Sequence, residues 1–354
     1  MKTNAGQMTV ETSLQINAKP QTRKLPSAST IAFVILVLTA PLFASHYWLM
    51  AIITPVMILS LAGIGLNIKT GYAGMVSVGA GAFMAVGAYG MFNFAAHGGI
   101  TNFPLALLLG GISAAIAGYL FGLPSSRIKG FYVMVTTLAA QFFVEWLFTK
   151  NAYFYNYGSV PTITLPPMTL FDLDINGNNT IRYYVVVIIV LLMTLAAKNI
   201  IHSHVGRNWM AIRDMNTAAG VIGIDSARYK RLAFTIGSFY LGIAGALWAF
   251  LFLGTASTLS FDINRSFQVL FIIIIGGLSS IRGNFIGAAF ILLLPILIDY
   301  MVKATLGSAL NPGFLSNMNK VIFGSLIIIL LIKEPEGFDK MLRNLTGYIK
   351  RRKS

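Results

Sequence analysis

Apolar runs alternate with short polar breaks along most of this chain. A bilayer's hydrocarbon core needs about 20 apolar residues per helical crossing. Ten stretches approach that pattern: 30–45, 48–67, 72–94, 103–122, 131–148, 181–200, 231–252, 266–279, 284–302 and 319–332. Several are short for a full crossing, and the pair within 266–302 also fits a re-entrant or broken element. The expected fold is all-α: a polytopic transmembrane helical bundle of about ten segments, some re-entrant or broken.

One stretch interrupts the pattern. "GRNWMAIRDMNTAAGVIGID", from Gly206 to Asp225, carries two arginines and two aspartates between long apolar runs. Trp209, Ile212, Met215, Ala219 and Ile222 recur every three or four positions, which predicts one apolar face on a short amphipathic helix. Gly220 and Gly223 are expected to weaken and end it. Such a helix can lie on lipid, pack on the protein's own spans, or enter a groove on a partner, and periodicity does not separate the three.

Composition agrees with the membrane reading. Of the 354 residues, 56% are hydrophobic and 10% charged, against about 25% charged in a soluble domain. The net charge of +15 reads as basic residues gathered on the cytoplasmic side rather than as a nucleic-acid surface. Ten crossings with both termini inside put 21 of the 26 Lys and Arg residues inward. Only Lys150, Arg182, Arg265, Lys303 and Lys320 fall outward. That split sets the expected orientation. The chain then divides into a cytoplasmic N-terminal tail (1–29), a transmembrane domain (30–332) with a cytoplasmic loop at 202–230, and a basic cytoplasmic tail (333–354). The longest outward loop, 149–182, can cap a path, receive a partner or simply connect two spans.

Small residues recur at helical spacing in the predicted spans. Gly74, Ser77, Gly81, Ala85 and Ala88 form one stripe, and Ser238, Gly242, Gly245 and Ala249 another. Such stripes let transmembrane helices approach closely. Glycine-interrupted segments can also offer backbone groups to a polar solute. On that ground Gly74, Ser77, Gly81, Gln141, Ser279, Ser280 and Asn284 are candidate path residues.

Several chemistries have no residues to work with. There is no cysteine, no P-loop motif and no catalytic or metal-binding signature, so no metal site or bound cofactor is expected. The four histidines fall in loops or at span ends, which argues against a proton relay.

The pattern A-A-x-x-x-G at Ala218, Ala219 and Gly223 is similar to the E-A-A-x-x-x-G motif of ABC importer permeases, with Thr217 where that motif has Glu. The likeness extends to "YKRLAFTIGSFYLGIAGALWA", "SFQVLFIIIIGGLSSIRGNFIGAAFILLLP", "LNIKTGYAGMVSVGAGAFMAVGAYG" and "FYVMVTTLAAQFF". Together these blocks resemble the permeases of branched-chain amino acid ABC importers, a family that also contains urea- and amide-type permeases. The resemblance implies a non-enzymatic transport subunit in the cytoplasmic (inner) membrane. It implies two ATP-binding cassette subunits that use the ATP, a homologous permease chain or a second copy, and an external solute-binding protein. It places ATPase docking on Arg207, Trp209, Ile212, Arg213, Met215, Ala218, Ala219, Ile222 and Gly223. The alternative is an ATP-independent channel or ion-coupled carrier for a small solute such as urea or an amide.

Overall fold

Helix caps and membrane length explain most of the elements. The computed structural model describes residues 47–128, 130, 132–155, 157, 158, 160, 162–164, 168–170, 173, 174 and 179–306, with scattered positions at 37–45 and 321–341. The chain divides into Met1–Phe43 and Ala44–Ser354. In the first unit, residues 37–41 are helical.

All labelled elements belong to the second unit. Helix α1 (Thr54–Asn67) is extended by π-helical turns at both ends into one span, Trp48–Tyr72. Then come α2 (Ala80–Ala96), α3 (Phe103–Arg127) and α4 (Tyr132–Lys150). The connection between α4 and α5 holds three short strands among the described residues: β1 (Thr162–Thr164), β2 (Thr169–Leu170) and β3 (Leu173–Asp174). After them run α5 (Asn179–His202), α6 (His204–Asp214), α7 (Asn216–Val221) and α8 (Ser226–Leu247), the last continued by a π-helical turn to Leu253. Strand β4 (Thr255–Ser257), a 3₁₀ turn, α9 (Ile263–Gly276) and α10 (Ile281–Leu306) complete the order.

Local chemistry sets several boundaries. Asn102, Ser203, Asp225 and Asp262 each accept a bond from a backbone N–H in the first turn of the helix they open, which satisfies a donor that has no intrahelical partner. Among the described residues, seven helical stretches are long and apolar enough to cross a membrane: Trp48–Tyr72, Phe103–Ser126, Tyr132–Lys150, Asn179–His202, Ser226–Leu253, Thr258–Gly276 and Ile281–Met301. Ala80–Ala96 is a shorter apolar helix. The chain is therefore an all-α polytopic membrane protein. The expected segment at 30–45 lies largely outside the described residues, as does the one at 319–332.

Two expectations change. The span expected over 72–94 is broken: residues 74–79 have no helical structure and α2 begins at Ala80. Gly74 and Ser77 therefore leave the helical stripe, which keeps Gly81, Ala85 and Ala88. Within 266–302 the two halves differ. Helix α9 is short and entered through a strand and a 3₁₀ turn, whereas α10 runs for 26 residues, long enough to span.

Helix α8 packs on α3, α2 and α1, and α9 and α10 pack together against α1. The spans containing α1 and α8 are mostly buried within the protein. Helices α3 and α5 keep wide apolar faces outside, including Ile112, Ile116, Ile188 and Leu192, as lipid requires. Backbones meet where the small residues fall. A Cβ on Gly87 of α2 would overlap the Gly242 backbone of α8, and one on Gly245 would overlap Met84. Outside the membrane helices, β1 pairs antiparallel with β4, matching Ile163 with Ala256. That pairing ties the 149–182 loop to the α8–α9 connection.

Gly87→Val or Gly242→Leu is expected to destabilise the bundle by more than about 3 kcal/mol, since backbone rather than a mobile side chain blocks the added atoms. Thermal unfolding of the detergent-solubilised chain checks this. Gly220→Ala is the control, because a Cβ there meets nothing within 4 Å.

Candidate functional site

The polar interruption folds as two helices rather than one. Met215 adopts φ −148° and ψ 87°, outside the helical region, and its N–H bonds to the Ala211 carbonyl as α6 ends. Asp214 and Asn216 flank it, and such residues compete with helical hydrogen bonding. Helix α7 restarts at Asn216, whose Oδ1 accepts from the Ser226 hydroxyl at 2.6 Å. It ends at Gly223, which takes the left-handed φ of 86° while Ile224 N–H reaches back to the Ala219 carbonyl. A residue with a Cβ is strained there.

The break splits the single apolar face that periodicity predicts. Trp209, Ile212 and Ala219 are buried against the protein itself, and the Trp209 indole N–H donates to the Tyr229 carbonyl at 2.9 Å. Met215 and Ile222 point away, 66% and 74% exposed, and Val221 joins them at 88%. Ala218 is exposed as well, as is Arg207, which donates to the His202 carbonyl.

Arg213 connects this element to the membrane helices. Its Nη1 donates to the Gly71 carbonyl at 3.0 Å and to Ser279 Oγ at 2.6 Å. Its Nε and Nη2 hold Asp214 at 2.8 Å. Gly74, with φ 71°, lets the backbone turn against the Arg213 stem, where a Cβ would come within 2.9 Å of Cγ. Ser279 lies in the α9–α10 turn with φ 60°, a costly conformation for a residue with a side chain. Four bonds hold it. Its N–H donates to Asn67 Oδ1 (2.9 Å), its hydroxyl donates to Gly71 O (2.7 Å) and accepts from Arg213, and its carbonyl accepts from the Tyr72 hydroxyl (2.7 Å). Asn67 Nδ2 completes the set by donating to Asn284 Oδ1 at 2.9 Å and to the Ser280 carbonyl at 3.2 Å.

A second polar cluster lies at the start of α2. Gln141 Oε1 accepts from Ala82 N–H at 2.7 Å and from the Ser266 hydroxyl at 2.8 Å, and its Nε2 donates to the Phe261 carbonyl at 2.8 Å. Gly81 N–H donates to Ser266 Oγ at 2.7 Å, and Val78 N–H to Thr137 Oγ1 at 3.0 Å. Helix α2 is thus capped by side chains from α4 and α9. The buried Ser77 hydroxyl has no hydrogen-bond partner among the described residues.

Six of the seven candidate path residues fall into two clusters, and Ser77 joins neither. Gly74, Ser279, Ser280 and Asn284 join the network that Arg213 enters. Gly81 and Gln141 belong to the α2 cap. The sequence reading missed Asn67, Gly71, Tyr72, Thr137 and Ser266. An Asn inside an apolar run is itself a signal in a membrane protein. Lys69 needs a correction, because charge counting puts it in an inward loop. It is fully buried: its Nζ donates to Ser238 Oγ at 2.7 Å and sits over the rings of Phe83 (3.8 Å) and Phe234 (4.9 Å). The missed cause is that the helix continues through Lys69 to Tyr72, so no loop exists there.

A family model described as "Branched-chain amino acid transport system / permease component" matches residues 48–331. The chain belongs to this family. It is the membrane permease subunit of a branched-chain amino acid ABC importer. It is 28% identical over 335 residues to the high-affinity branched-chain amino acid transport system permease protein LivM of Escherichia coli (strain K12), covering 88% of this chain and 75% of that one. Identity to the Salmonella typhimurium protein of the same description is 28% over 314 residues, with coverages of 82% and 70%. A probable branched-chain amino acid transport permease protein LivM of Methanocaldococcus jannaschii is 25% identical over 244 residues, covering 68% of each chain. No solved structure matches the permease.

Two substitutions separate the polar groups of this region by sign. Asn67→Leu strands the Ser279 N–H and one face of Asn284, and is expected to cost about 2 kcal/mol or more. Lys69→Met replaces a buried amine-tipped chain with an apolar one of similar length and is expected to be neutral or stabilising. Thermal unfolding of both variants in detergent reads the difference.

Proposed function

We propose that this permease moves branched-chain or other hydrophobic amino acids inward by alternating access, driven through α6 and α7. Two ATP-binding cassette subunits hydrolyse ATP and dock on this cytoplasmic element, while the chain itself binds no cofactor. A homologous permease chain or a second copy completes the membrane part, and an external solute-binding protein delivers the cargo. Both termini are cytoplasmic in this arrangement, and the membrane is the cytoplasmic (inner) one.

One observation carries the reading: Arg213 of α6 bonds directly to Gly71 and Ser279. Through those two residues a displacement of α6 reaches the end of the Trp48–Tyr72 span and the α9–α10 turn together. Trp209, Ile212 and Ala219 seat the element on the permease. Met215, Ala218, Val221 and Ile222 form the exposed face that an ATPase groove would cover. Arg207 and Gly223 flank that face and shape its approach. In the channel or ion-coupled alternative the exposed face would rest on lipid, and the bonds from Arg213 to Gly71 and Ser279 would have no push to transmit.

The roles of the two faces are separable by experiment. In proteoliposomes holding the full complex, Ile222→Asp is expected to lose co-purifying ATPase subunits. Arg213→Ala is expected to keep them while lowering ATP-driven uptake of labelled leucine about tenfold or more, the scale of losing charge-assisted hydrogen bonds. Undiminished uptake by Arg213→Ala would sink the coupling assignment.

A further inference from the structure

A third polar feature lies away from both clusters, where the span of α8 ends and α9 begins. Arg265, in the first turn of α9, stacks its guanidinium carbon 4.1 Å over the Trp248 ring. Its Nε donates to the Ser260 carbonyl at 3.2 Å and its Nη1 to Gln268 Oε1 at 2.6 Å. Its Nη2 has no hydrogen-bond partner, and no carboxylate lies within 4 Å of the guanidinium, among the described residues. The nearby Asp262 side chain is occupied, accepting from the Arg265 and Asn264 nitrogens of its own helix turn.

Trp248 supplies the second observation. The residue is 4% exposed, and its indole N–H has no partner among the described residues. A buried donor left unpaired is costly, so this one calls for an acceptor. The stacking sets the guanidinium over the Trp248 ring, so both unsatisfied donors belong to one stacked pair. An acceptor with two oxygens and a negative charge fits both.

We propose that Arg265 and Trp248 form an entry site for the carboxylate of the transported solute. The inference rests on the proposed orientation and cargo, which put this patch outward, where the binding protein releases its load. The depth of Trp248 favours a small solute over an acidic side chain of the binding protein, because a group reaching that indole must pass below the protein surface. Ser266, the next residue of α9, belongs to the Gln141 cluster.

The test has two arms. In the first, the purified permease is titrated with isovalerate or its uncharged relative isovaleramide, and tryptophan emission is followed. Isovalerate is expected to change the emission and isovaleramide not to. Trp248→Phe, which keeps an aromatic face and removes the N–H, should weaken isovalerate binding about tenfold when binding is read by calorimetry. Arg265→Gln should weaken the apparent affinity about tenfold or more, and Arg265→Lys less. An equal response to the amide, or an unaltered affinity in Trp248→Phe, overturns the site. In the second arm, labelled leucine uptake by the full complex is expected to fall in Arg265→Gln and Trp248→Phe, with cargo-free binding-protein capture unchanged. Capture lost without cargo would assign the charge to a partner's carboxylate and overturn the proposal. A wild-type complex that imports no branched-chain amino acid, while the isovalerate response stands, would refute the cargo reading alone.

Discussion

A helix that starts inside a membrane protein has N–H groups without partners, and no water is at hand to satisfy them. Helix α2 starts in that way at Ala80, and the architecture around it follows from the need to serve Gly81 and Ala82. Gln141 must come from α4 and Ser266 from α9, so three elements are pinned at one point. Because Gln141 also holds the Phe261 carbonyl, the 3₁₀ turn before α9 is fixed by the same side chain. Each member satisfies another, so removing one leaves several buried polar groups unpaired.

The network around Ser279 has a different character. Its bonds join the short helix α6 to two membrane elements, and one member sits in a strained left-handed conformation. Strain of this kind persists only where surrounding contacts over-determine it. The α2 cap reads as an anchor and the Ser279 network as a joint. A transporter needs both: fixed points about which helices rock, and contacts that transmit the push.

The legible part of the fold was what lipid dictates. Apolar run length located α1, α3, α4, α5, α8 and α10. The break before α2 was hidden because "GYAGMVSVGAG" is as apolar and small as a helical interior, and its unwinding depends on partners some 60 and 190 residues away (Gln141 and Ser266). Lys69 misled for a related reason: charge suggested a loop, while Ser238 and two aromatic rings supply a buried slot. The amphipathic stretch was legible in kind. Its division at Met215 was not, since helical spacing continues through the break and only the backbone angles reveal that the stripe faces two ways.

The backbone contact between Gly87 and Gly242 bears on how such a permease can diversify. Where two main chains touch, no side chain can be enlarged or recoloured, so α2 and α8 offer evolution nothing to edit at their crossing. Variation must be written elsewhere, where side chains still have room to differ.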